Sequence, residues 1–419
     1  MQNENFSLTR KACYLGGIIQ AVVNNLTALF FVIFNAKPYD ISLEKLGRLI
    51  FINFFAQLVI DFLSIYIVPK LGYRKCVVCA QFCSAMGLAM LGILPNVMMP
   101  YIGLVISILL IAVGSGFIEV LISPIVEALP SSNKAGKMSF LHSFYCWGQA
   151  LTVAVTTALL YIIGRDNWYI IPIFWSIFPF INTVLFLRVP ILKLEGDQKQ
   201  SFKLSTVFKK GDIYLFLFLM FAAGATEISA VQWSSFFIEV GFGVPKWIGD
   251  LLGPCLFAVF MGCGRIFYAL VGSKRNPNKF LMVCAAICVA CYIIIAFSNN
   301  AVLSVMSCAF CGIGVSAMWP GVISLGAQRF KGSGVSLFSL LAIFGDLGCA
   351  VGPWVVSIVS DASTKSGFAT VYANLLGLLG TQPGLQLGFL VTAIIPLIMF
   401  VILFLSVIKS NCSPGGVKI

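Results

Sequence analysis

The chain has 419 residues, of which 59% are hydrophobic and 10% charged, and its mean hydropathy is +0.99. Soluble domains carry about 25% charged and about 45–50% apolar residues, so a water-soluble globule, a disordered chain, a collagen-like repeat and a disulfide scaffold are all excluded. The formal net charge of +12 sits on short segments between apolar runs, which argues against a nucleic-acid partner.

A helix that crosses a bilayer needs about 20 apolar residues. Runs of that length occur at 11–36, 46–68, 76–95, 98–123, 139–164, 168–190, 212–238, 247–271, 280–298, 301–325, 335–358 and 385–408, twelve in all. They are long and continuous, unlike the alternating ~10-residue strands of a membrane β-barrel. The first run contains Asn24 and Asn25 and lacks a small-residue cleavage site, so it reads as a span and not as a signal peptide. Between the last two runs, Val371–Leu379 is apolar but too short to cross. It is expected to be an external loop, with a short helix lying along the membrane surface.

With the N-terminus placed inside, the cytoplasmic segments hold 20 lysines and arginines and the external ones 6, with Arg265 inside the eighth run. That bias sets a multi-pass protein of the cell membrane with both termini cytoplasmic. Cys76, Cys79 and Cys83 share one helical face of the third run, and Cys284, Cys288 and Cys291 one face of the ninth. The one histidine, His142, lies on another run, so these cysteines read as small apolar packing residues. No metal site, disulfide framework or cofactor is expected.

The longest polar stretch, 191–211, leaves six runs on either side. Gly114-Ser115-Gly116 on run 4 matches Gly312-Ile313-Gly314 on run 10 at an offset of 198, and Ser139 with Gly148 matches Ser336 with Gly345 at 197. The cysteine faces of runs 3 and 9 repeat as well, which argues for an internal duplication. The expected fold is therefore all-α and integral to the membrane: twelve helices in two pseudo-symmetric six-helix bundles, 1–190 and 212–419, joined by a cytoplasmic linker at 191–211.

The basic turn Pro69-Lys70-Leu71-Gly72-Tyr73-Arg74-Lys75 after run 2 is similar to the signature loop of the major facilitator superfamily, and the chain resembles that superfamily over its whole length. Pro69 stands where the family has an acidic residue. The fucose-permease-like sugar/proton symporters give the nearest likeness. It rests on Glu119 and Pro124 after Gly114 and Gly116, on Leu141-His142-Ser143-Phe144-Tyr145-Cys146-Trp147-Gly148, and on the pair Asn24-Asn25. The resemblance implies alternating access about a central solute site. It departs at Asn25, an amide that cannot titrate as an aspartate would.

An ionisable residue at the bilayer centre costs at least about 2.5 kcal/mol on insertion scales. It persists where it is paired, hydrated or functional. Glu227, Glu119 and Asp346 are the expected proton carriers, with Glu227 foremost; an ion pair or a helix-packing hydrogen bond is the alternative for each. Asp61, Arg74, Arg265 and His142 are assigned to gating or to helix-end contacts. Gln20, Asn24 and Asn25 on run 1, with Tyr145, Trp147, Gln149, Gln232, Trp233 and Trp319, offer amides and flat aromatics, a mixture that suits a polyhydroxylated solute. The chain has no phosphate-binding Gly-Lys-Ser/Thr loop, and an enzyme is not expected. The expected function is proton-coupled symport of a sugar or sugar-like metabolite by a monomer whose partners are the solute, protons and the bilayer. The alternative is a proton-coupled antiporter that exports organic cations or drugs. In a background without other reactive cysteines, one placed at Lys365 is expected to label with an impermeant maleimide in intact cells, and one at Lys199 only after permeabilisation. Labelling of both from outside, or of neither, overturns the topology.

Overall fold

The computed structural model describes residues 6–130, 134–192, 211–270, 277–330, 334–378 and 382–412. Most of the expected linker therefore lies outside the described residues. Twelve helices are long and apolar enough to cross a membrane, and no strand occurs among the described residues. In chain order they are α1 (Ser7–Asn35), α2 (Leu43–Leu71), α3 (Tyr73–Val97), α4 (Pro100–Ala128), α5 (Lys134–Ile163), α6 (Ile170–Arg188), α7 (Asp212–Phe242), α8 (Lys246–Tyr268), α9 (Pro277–Phe297), α10 (Ala301–Arg329), α11 (Gly334–Lys365) and α12 (Pro383–Ile408). Helices suit an apolar solvent because each closes its own backbone hydrogen bonds. Four are locally rewound: α1 by a 3₁₀ turn at Thr27–Phe30, α8 by a π-turn at Leu251–Cys255, which holds Pro254, α10 at Ser316 and α12 at Ala393.

Internal contacts divide the chain into two compact units. The first comprises Met1–Ile41 with Ile52–Ser201; the second comprises Ser42–Phe51 with Phe202–Ile419. The opening turns of α2 thus belong to the second unit. There the Glu44 N–H donates to Asp361 Oδ2 (3.1 Å) and Phe51 packs against Trp354 with ring centroids 4.7 Å apart.

Within the first unit α1 crosses α5 at Gly148, where a Cβ would lie 3.0 Å from Ile18 Cα. α4 crosses α3 at Gly114, where a Cβ would collide with Ser84 Oγ and sit 2.8 Å from the Ala80 carbonyl oxygen and from Ser84 N. The second unit repeats both crossings. Gly348 of α11 faces the Phe221 carbonyl and Ala225 N of α7, and Gly314 of α10 faces Cys288 Sγ, the Cys284 carbonyl and Cys288 N of α9. The packing therefore pairs Gly114 with Gly314 and Gly148 with Gly348, 200 residues apart in each case. The offsets of 198 and 197 do not describe this register. Gly312 turns instead to Phe257 of α8, and Gly345 to the ring of Trp319. Two or three residues along a helix rotate a side chain by about 200° or about 300°, so residues aligned by sequence identity show different faces.

An aromatic box fixes one end of the first unit. Trp168 is buried among Phe30, Phe34 and Tyr39, and its indole N–H donates to Tyr39 Oη (3.0 Å), which in turn donates to Asn96 Oδ1 (2.7 Å). In the second unit the expected surface helix is Phe368–Leu376, set between Gly367 and Gly377 with φ of +76° and +66°. Its inner face, Ala369 and Tyr372, packs with Leu378 and Leu387, and the Tyr372 hydroxyl donates to the Ala296 carbonyl (2.9 Å). Burial pushes that phenol above its ordinary range.

Close approach at these glycines is a measurable constraint. Gly348→Ala is expected to lower the stability of the purified protein by roughly 1–3 kcal/mol, because the intruding methyl meets backbone that cannot yield. Gly241→Ala, whose nearest atoms would lie 3.6 Å away, is expected to be neutral or to gain up to about 1 kcal/mol from better helix propensity. Thermal unfolding in detergent compares the two.

Candidate functional site

Three helices of the first unit bring polar side chains to one place. Gln20 Nε2 on α1 and Gln57 Nε2 on α2 both donate to Glu119 Oε2 on α4, at 2.8 and 2.7 Å. One turn along, Ser115 Oγ donates to Asn24 Oδ1 (2.9 Å). Gln20 and Asn24 are four residues apart, as are Ser115 and Glu119, so α1 and α4 run antiparallel and pair as two rungs. Gly116 admits α2 to this junction: a Cβ there would lie 3.0 Å from the Gln57 carbonyl. Asp61, one turn beyond Gln57, is buried, and a carboxylate oxygen of it lies within 4.8 Å of one of Glu119. Two amide hydrogens on one oxygen suit a carboxyl group in either protonation state, since the amides always donate and the oxygen always accepts. Two carboxylates this close repel each other when both are ionised, and one proton held between them relieves that repulsion.

The other expected residues of this unit lie in different surroundings. Asn25 Nδ2 donates back to the Ala21 carbonyl (2.9 Å), a bond within its own helix. Gln149 is 1% exposed, and its Nε2 has no hydrogen-bond partner among the described residues. Trp147 is 43% exposed and Tyr145 half-buried. The side chain of His142 lies outside the described residues. Arg74 caps a helix: Nη1 donates to the Phe186 and Leu187 carbonyls and Nη2 to that of Val189 (2.8–3.0 Å). These are orphan acceptors at the end of α6, so the three bonds tie α3 to α6.

In the second unit Glu227 is buried midway along α7. Among the described residues no hydrogen bond or ion pair reaches it; its electrostatic partner is the half-buried Arg265 of α8, and the thiols of Cys288 and Cys311 lie within its field. Arg265 Nη2 also donates to Met261 Sδ (3.7 Å). Asp346 is 2% exposed on α11, next to the Gly345 backbone that Trp319 covers. Gln232 is buried. Trp233, expected to stack on a solute, is 0% exposed and spends its indole N–H on the Pro353 carbonyl (3.0 Å). As packed, its face is closed to a solute. The described cysteine side chains are free thiols, and Cys288 and Cys311 are 4.0 Å apart across α9 and α10.

Sequence reading overlooked a second buried group. Lys246, counted as an external loop charge, is 6% exposed, and its Nζ lies 2.8 Å from Asp250 Oδ1 and 3.9 Å from Glu239 Oε2, with Ser235 donating to Asp250 Oδ1. The short turn at Gly243 folds the start of α8 back on the end of α7, which buries charges that look terminal. The signal was available in the i, i+4 spacing of Lys246 and Asp250.

Residues 13–353 match the sequence profile of the Major Facilitator Superfamily. By sequence, no curated protein matches significantly. By fold, the chain is similar to the crystal structure of a D-xylose–proton symporter, with a TM-score of 0.78, 14% identity, and 95% of this chain and 97% of that one covered. It is similar to the nucleoside transporter NupG, with a TM-score of 0.74, 12% identity and coverage of 94% and 98%. For the fucose:proton symporter FucP of E. coli the TM-score is 0.63, with 15% identity and coverage of 96% and 99%.

The buried ion cluster separates strong from weak charge pairs. Lys246→Met leaves two carboxylates without their shared ammonium and is expected to cost about 3–5 kcal/mol of stability. Arg48→Ala removes a pair with Glu44 in which Arg48 is 48% exposed, and a change of at most about 1 kcal/mol is expected. Unfolding midpoints of the purified variants test the contrast.

Proposed function

We propose that this chain, which belongs to the major facilitator superfamily, is a proton-coupled symporter of a small polyhydroxylated solute. The observation that carries the reading is the junction of α1, α2 and α4. Glu119 there gathers Gln20 and Gln57 within reach of a second acid, Asp61. A proton arriving at the acid pair removes their mutual repulsion, and a proton leaving restores it. The same amides that hold Glu119 are the kind of group that binds hydroxyls. Proton and solute therefore meet at one set of side chains, which is what coupling requires: each ligand must favour one conformation over the other. The D-xylose and fucose symporters of similar fold act on solutes of this class with protons. Glu227 is proposed as a second acid whose charge is set against Arg265, and Asp346 as a third.

This assignment moves the foremost role from Glu227 to Glu119 and makes Asp61 its partner, in place of a gate. It also removes Trp233 from the proposed solute contacts and keeps Gln20, Asn24, Gln149 and Trp319. Localisation in the cell membrane, cytoplasmic termini, action as a monomer and alternating access complete the proposal.

Glu119→Gln keeps the side chain's length and an acceptor for the two amides but cannot release a proton. Reconstituted in vesicles, the variant is expected to lose accumulation driven by a pH gradient while retaining solute counterflow. Counterflow survives because exchange moves no net proton. Normal pH-driven accumulation by the variant removes Glu119 from the mechanism. If accumulation by the unaltered protein falls when the outside is acidified, antiport of organic cations replaces symport.

A further inference from the structure

Gln57 is one of three buried polar residues at one-turn intervals on α2, with Asn53 before it and Asp61 after it. Asn53 is 8% and Gln57 1% exposed. Asn53 Oδ1 and Gln57 Oε1 are buried acceptors with no hydrogen-bond partner among the described residues. The two belong to one face of one helix, four residues apart. Gln57 donates its Nε2 hydrogen to Glu119 (2.7 Å), and a planar amide engaged at its nitrogen end turns its oxygen away from that partner. The carboxyl group thereby fixes where Oε1 is presented. Buried acceptors are nearly always satisfied by protein, water or ligand, and two carbonyl-type oxygens a turn apart call for two donors.

We propose that Asn53 and Gln57 are solute-recognition residues. Their free oxygens accept hydrogen bonds from two hydroxyl groups of the transported molecule, and Glu119 acts on Gln57 as a positioning residue. The inference rests on the reading of a polyhydroxylated solute and adds α2 to the helices that recognise it. Two unsatisfied oxygens select for donors: hydroxyls satisfy them, while ethers, ketones and carboxylates do not. Loss of either oxygen therefore weakens binding of the full polyol and leaves binding of an analogue already lacking that hydroxyl unchanged.

The test uses purified full-length protein and isothermal titration with D-xylose, L-fucose and uridine, each beside its monodeoxy analogues. Asn53→Leu and Gln57→Leu remove the acceptors and keep a branched side chain, the second also giving up the bond to Glu119; Asn53→Met and Gln57→Met replace them if a leucine variant does not fold. Each substitution is expected to weaken binding of the full solute by roughly five- to tenfold, the weight of one neutral hydrogen bond. For one deoxy analogue per residue the wild-type and variant affinities are expected to coincide. If the wild type binds a probe and the variants bind it and all its analogues just as well, water fills the two acceptors and this inference alone falls. If the wild type binds none of the three, it falls together with the proposed solute class.

Discussion

Two amide hydrogens meeting one oxygen of Glu119 tie α1, α2 and α4 together, and much else in the first unit follows from the need to make that meeting possible. Within a bilayer no water stands ready to satisfy an amide or a carboxyl group, so each must find its partner inside the protein. The partners sit on three separate helices, and helices come near enough for side chains of this length to converge only where the intervening residue is small. Gly116 supplies that approach between α2 and α4, as Gly148 does between α1 and α5. A glycine with no close neighbour would only weaken its helix; here it decides which polar groups touch.

The scaffold and the chemistry were legible to different degrees in the sequence. Twelve spans follow directly from length and composition, because a run of about 20 apolar residues has few other uses. The short helix Phe368–Leu376 was equally accessible, since its apolar run is too brief to cross and is framed by glycines. The duplication was visible, but its register was not. Identity of letters aligned Gly114 with Gly312, whereas the face each glycine presents aligns it with Gly314. Identity carries no angle, and on a helix the angle decides the neighbour.

Among the candidate site residues, Gln20, Asn24 and Glu119 were legible in the sequence because amide spacing on α1 and an acid on α4 stand out in apolar surroundings, and the structure bonds Gln20 to Glu119 and Ser115 to Asn24. Gln57 and Asn53 stood out less in the sequence because the middle of α2 carries one charge, Asp61, which draws the eye first. Trp233 was chosen for what an indole can do in an open cavity, yet helix packing had already used both its face and its N–H. Lys246, counted only as an external charge, is buried against Asp250 and Glu239 for the opposite reason. Residues near a predicted helix end look solvated until a tight turn folds one end over the other. Each miss involves a contact between segments distant in sequence or across a turn, which periodicity within one helix cannot report.

The 200-residue register has a consequence for the molecule's history. Carried along α4 and α5, it places Trp319 opposite Glu119 and Asp346 opposite Cys146 in the duplicated scheme. Gly114 and Gly148 recur as Gly314 and Gly348, whereas Gly116 corresponds to Ser316 and neither Glu119 nor Asp346 has a carboxylate counterpart. An ancestral half-sized chain, pairing with itself, would have presented the same chemistry twice. Two copies within one polypeptide are free to differ. An acid-and-amide junction occupies the first, and Glu227 in the field of Arg265 the second, on backbones of a common plan.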